Sequence, residues 1–146
     1  MRIRIIVLMG ATTMLAATIS ARASEGVMLQ AGELNGPHIV VSIDRDSKPR
    51  AFVIRTIAVG TSGSRIEIFI DKAKAPTFSE ILTAGDCKYT DAGSMCEVRI
   101  TQTDTAYRRI AADFRGGHVA HINITEAGVM KMDKTVALRG TARALR

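Results

Sequence analysis

Two cysteines, Cys87 and Cys96, lie together in the stretch GDCKYTDAGSMCEVRI. Two thiols at this spacing suit a metal site, a redox pair or a covalent link. A zinc site needs about four N, S or O ligands, and Cys-x8-Cys is not the spacing of a zinc knuckle. A thioredoxin-type pair has two intervening residues; here there are eight. A disulfide asks only for an oxidising compartment and a chain that can turn back. Asp91, Ala92 and Gly93 are turn formers between the two thiols. The pair is read as a structural disulfide. It would hold exposed residues such as Lys88, Tyr89 and Asp91 in one fixed surface.

The remaining chemistry-bearing residues have plainer readings. The three histidines are His38, His118 and His121. His118 and His121 fall in HVAHINIT, which reads as a strand, and positions three apart on a strand face opposite ways. They are not expected to share a metal. The carboxylates Asp44, Asp46, Asp86 and Asp91 fall in segments read as loops, and spacing places no pair of them across a cleft. VGTSGSR resembles a nucleophile elbow, but position 64 is Ser64 rather than glycine. A phosphate loop would open a helix, whereas a strand pattern follows. Asn123 to Thr125 matches a glycosylation sequon, a pattern common by chance. With 4% aromatics and no Trp, the chain lacks the equipment for stacking sugars or bases. No catalytic residue, metal site or cofactor is expected.

These residues need elements to position them. HIVVSID puts Ile39, Val41 and Ile43 on one face, and RIEIFID does the same for Ile66, Ile68 and Ile70. AFVIRTIAV is apolar on both faces except for Arg55 and Thr56, as a central strand is. CEVRIT points Cys96, Val98 and Ile100 inward. Tyr107, Ile110, Ala111 and Phe114 recur at i, i+3, i+4 and i+7, one face of a helix over about Asp104 to Arg115. Thr103 or Asp104 can cap its start, and Gly116-Gly117 can end it. HVAHINIT and KTVALRG read as strands around a turn at Glu126 to Met130. The expected fold is mainly β: an antiparallel β-sandwich-like domain with one inserted helix.

The compartment is read from the start of the chain. Arg2 and Arg4 precede an uncharged apolar run from Ile5 to about Ile19, and Ala21-Arg22-Ala23 is a small-x-small site. That is the design of a secretory signal peptide over residues 1–23, cleaved between Ala23 and Ser24. The run falls short of the roughly 20 residues that cross a bilayer as a helix. No later stretch is apolar enough to span, so no transmembrane segment is expected in the mature chain. Of 20 Lys and Arg and 14 Asp and Glu, the leader carries three Arg and no acid, so 17 and 14 remain. A net of +3, interspersed along the chain, argues against nucleic acid as a partner. Residues 24–36 read as an N-terminal arm or edge segment, and 37–146 as a single β-rich domain.

From about Ile66 to Leu145 the chain resembles the invasion-associated locus B family of exported bacterial proteins. The resemblance rests on IEIFID, the cysteine segment CKYTDAGSMCEVRI, the helix DTAYRRIAADFRGG and the closing VALRGTARAL. The chain departs from the family at Met95, where a glycine is usual, and at Thr141, where an aromatic closes the motif. The family's early Trp and additional cysteines are missing. The resemblance implies a periplasmic or secreted β-rich module without catalysis, in a family associated with bacterial entry into host cells and found in non-pathogens too. Its partner would be a protein or other component of the envelope. The alternative is a small periplasmic enzyme or inhibitor with a site built from loops. A polar pocket with a His beside a carboxylate would favour that alternative, and an exposed apolar patch or open strand edge the binding module.

Overall fold

The computed structural model describes residues 25–138 and 141–146. Nine strands form two antiparallel sheets. The first has the order β1 (Glu25–Gly32), β2 (His38–Asp44), β3 (Ala51–Ile57), β7 (Gly93–Thr101) and β6 (Cys87–Thr90). The second has the order β5 (Phe78–Ile81), β4 (Arg65–Ile70), β8 (Val119–Glu126) and β9 (Val129–Ala137). A helix, α1 (Thr105–Gly116), links β7 to β8 and so passes from one sheet to the other. A one-turn helix, α2 (Thr141–Ala144), packs on β1 and α1. The expected β-sandwich-like domain with an inserted helix is the fold observed.

Alternation produces the core. Ile39, Val41, Ile43, Phe52 and Ile54 on the first sheet and Ile66, Ile68, Ile122 and Ile124 on the second belong to one buried cluster. Helix α1 adds Tyr107, Ile110 and Phe114 from the face that the sequence pattern singles out. Phe52 sits against Tyr107, with ring centroids 4.6 Å apart, and 6.5 Å from the ring of Phe114. Asp104 caps the helix by accepting from the Ala106 N–H at 2.9 Å. Gly117 follows, and a Cβ there would lie 2.3 Å from Ile70 Cγ2 and 2.7 Å from the Asp113 carbonyl. Only glycine lets the chain leave the helix this close to β4.

Of the two readings given to the segment before residue 37, the edge segment is the one observed: Glu25–Gly32 is an edge strand paired with β2, and it also lies against β9. A register shift between Val27 and Leu29 breaks the alternation, and Met28, Leu29 and Ala31 are all buried. Three readings change. Asp44 is the last residue of β2 rather than a loop residue, and it is buried. The stretch between the cysteines is a β-hairpin rather than a loop, because Lys88, Tyr89 and Thr90 pair with Met95, Ser94 and Gly93. His118 precedes β8 instead of belonging to it.

The two ends of the sandwich differ. The β1–β2, β6–β7 and β8–β9 turns and the β3–β4 link gather at one, the turn end. The β2–β3 and β4–β5 loops, α1 and α2 gather at the other, the helix end.

Candidate functional site

The turn end carries most of the exposed apolar surface. Leu34, in the β1–β2 turn, is 61% exposed, and Tyr89, near the tip of β6, is 63% exposed. Val129 and Met130 open β9, Ile81 closes β5, and Met95 lies opposite Ile57 near the start of β7. Among the described residues seven large apolar side chains are exposed; these are six of them, and the seventh is Val27. Scattered apolar side chains are ordinary on a protein surface; here six of the seven lie at one end.

Hydrogen bonds tie the turns together. The Ser62 N–H donates to the Tyr89 hydroxyl at 3.2 Å, and the Gly60 N–H donates to Glu126 Oε1 at 3.1 Å. VGTSGSR is a tight link here: the Ser64 N–H donates to the Thr61 carbonyl, and Gly63 has φ +90°. A depression of about 240 Å³ opens beside it, lined by Leu34, Gly36, His38, Ile57, Ala58 and Ala92. The buried His38 ring lies in its wall, with Nδ1 2.7 Å from the Gly36 carbonyl. A carbonyl only accepts, so Nδ1 carries the proton.

Cys87 and Cys96 are directly opposite each other in the β6–β7 ladder and form the disulfide. The turn beyond is held by Thr90, whose hydroxyl donates to the Gly93 carbonyl and accepts from the Ala92 N–H. Lys88, Tyr89 and Asp91 are all exposed on this stapled hairpin.

The outer face of the five-stranded sheet carries a row of charges. Arg99 Nη2 lies 2.8 Å from Asp44 Oδ2, Arg99 Nη1 lies 3.5 Å from Glu97 Oε1, and Glu97 Oε2 lies 2.7 Å from Arg55 Nε. The ladder sets Val53 opposite Arg99 and Val40 opposite Arg55, and both valines are buried. The arginine stems are in register to roof them. The Arg99 guanidinium holds the Asp44 carboxyl below its ordinary value, helped by the Ser47 and Asp46 N–H groups and opposed by desolvation. A depressed carboxylate adds stability that is complete above its unfolded pKa of about 3.9 and is lost as pH falls through the lower folded value. Replacing Asp44 with Asn should therefore cost about 2 kcal/mol at pH 7, and progressively less as the pH is taken below the ordinary carboxylate range. Urea melts at pH 7 and in acid check this; equal losses would remove the ion pair from the account.

The other candidates are separated in space. The Asp71 carboxylate accepts from the His118 and Val119 N–H groups at 2.9 and 3.0 Å, which lowers its pKa; the His118 ring, 3.8 Å away, adds a smaller effect. His121 lies on the outer face of the four-stranded sheet, with Nε2 2.9 Å from Asp133 Oδ1 and Nδ1 2.8 Å from the Thr135 hydroxyl. This is a histidine beside a carboxylate; both side chains are partly solvent-exposed on the outer face of the sheet, and Asp133 also borders an open depression with Gly32, Glu33, Pro37 and Lys131. Asp86 closes a turn with Thr83, whose N–H and hydroxyl both donate to it at 2.8 Å, and Asp46 is exposed in the β2–β3 loop. Asn123 lies within β8. The leader and the Ala23–Ser24 junction fall outside the described residues.

Comparison with protein-family models, curated proteins and solved structures found no significant match. Among the described residues no helix is long and apolar enough to cross a membrane.

Proposed function

We propose that the chain is an exported, non-catalytic binding module of the bacterial envelope, and that the turn end is its binding surface. The observation that carries this is the gathering of six exposed apolar side chains on turns and strand ends braced by a disulfide. The disulfide supports an oxidising compartment, and the leader-like residues 1–23 support export. The resemblance to the invasion-associated locus B family supports an envelope role, with host-cell entry as one use of it. The partner on this reading is a protein with a complementary apolar face.

Site-specific photo-cross-linking in the producing cell tests the proposal. Cross-linkers replacing Met95 or Val129 should capture the same partner, and one replacing the exposed Ser79 should not. Leu34→Asp should abolish capture from both positions, and the exported chain should begin at Ser24. Identical adduct patterns from all three positions, or a chain kept in the cytoplasm with Met1 intact, would overturn it.

A further inference from the structure

The helix end has a different chemistry from the turn end. The β2–β3 loop brings Arg45, Lys48 and Arg50 there, and the β4–β5 loop brings Lys72 and Lys74. Helix α1 adds Arg108, Arg109 and Arg115, and the final segment adds Arg143 and Arg146. All ten of these side chains are exposed. Six acids lie at this end, Glu25, Asp44, Asp46, Asp71, Asp104 and Asp113; Asp44 is paired with Arg99, and Asp71 and Asp104 are occupied by backbone N–H groups. At the turn end, by contrast, Arg65, Lys88 and Lys131 are matched by Glu33, Asp91 and Glu126.

Contacts join these segments into one surface. The Gln102 N–H donates to the Arg50 carbonyl, which sets the β2–β3 loop beside the start of α1. Arg109 Nε donates to the Thr77 carbonyl, which sets the β4–β5 loop against the same helix. Arg45 donates to the Ala144 carbonyl at 2.9 Å, which adds the C-terminal turn. Tyr107 and Phe114 of α1 face the core, and among the described residues Val27, near the start of β1, is the one exposed large apolar side chain toward this end.

We propose that the helix end is an electrostatic docking surface for an anionic lipid bilayer. A spread of cations from four segments, with no exposed aromatic among them, suits a plane of phosphate headgroups. It does not suit a strand of nucleic acid, which is held in a groove with stacking side chains. Docked in this way, the domain rests on the membrane by its helix end and turns its apolar end away from it. This surface is separate from the turn end, so either can fail without the other.

The test is co-sedimentation of the full chain, taken from the exported fraction, with vesicles of phosphatidylcholine alone or with about 30% phosphatidylglycerol. Binding should need the anionic lipid and fall at least tenfold between about 50 and about 300 mM salt. Arg108→Glu/Arg115→Glu should lower it about tenfold or more, as should Lys72→Glu/Lys74→Glu in a loop where helix stability is not at issue. Leu34→Asp should leave it unchanged. Equal binding to neutral vesicles, no binding at low salt, equal loss with Leu34→Asp, or tighter binding to duplex DNA than to the vesicles would each overturn the proposal.

Discussion

Phe52→Ala should lower stability by about 3–5 kcal/mol, the expected cost of emptying an aromatic site in a packed core. Phe52 is fully buried in the central strand β3 and meets the rings of Tyr107 and Phe114 on α1. Its loss removes the contact that seats the helix as well as the apolar area. Domains of this size have about 5–15 kcal/mol in total, so the melting temperature should fall by about 10–20 °C. Val27→Ala, at an exposed position on β1, should cost about 0.5 kcal/mol or less. Thermal melts of the two variants side by side decide the matter; equal shifts would mean that α1 is not held by this cluster.

Breaking the disulfide should have the next largest effect. Cys87 and Cys96 close a loop of ten residues counting both cysteines. The chain-entropy estimate for such a loop is about 2.7 kcal/mol. The double variant Cys87→Ala/Cys96→Ala should melt about 10 °C below the parent and keep its β-sheet signature, because β7 also pairs with β3 from Met95 to Thr101. Capture from position 95 should weaken together with stability, because the hairpin that presents Met95 and Tyr89 loses its brace. A melting temperature indifferent to reduction would leave the staple without an energetic role.

The parts of this molecule legible in its sequence are those governed by local periodicity. The alternation of Ile66, Ile68 and Ile70, the helical spacing of Tyr107, Ile110 and Phe114, and the two cysteines flanking a turn each carry their own signal. What was hidden is non-local. Strand β1 escaped because its bulge at Met28 breaks the period of two. The buried Asp44 looked like a loop residue because its partner, Arg99, is 55 positions away. The turn end was hidden for the same reason: its apolar side chains come from positions 34, 81, 89, 95, 129 and 130. The available clue was that each borders a turn or an element end, as Leu34 precedes Asn35-Gly36-Pro37 and Val129 follows Ala127-Gly128.

The two sheets are interleaved along the chain, and this has a kinetic consequence. Strand β3 must wait for β7, and β4 must wait for β8, before either sheet gains its central pairing. Pairings this distant in sequence place folding in the millisecond-to-second range. A nascent chain therefore cannot complete its second sheet until β8 is available, which on the proposed export route would keep it threadable across a membrane. The hairpins of consecutive strands, β6–β7 among them, are local and close in about 1–10 μs. On that route the β6–β7 hairpin can form and be oxidised early, giving the distant strand β3 a ready edge on which to zip.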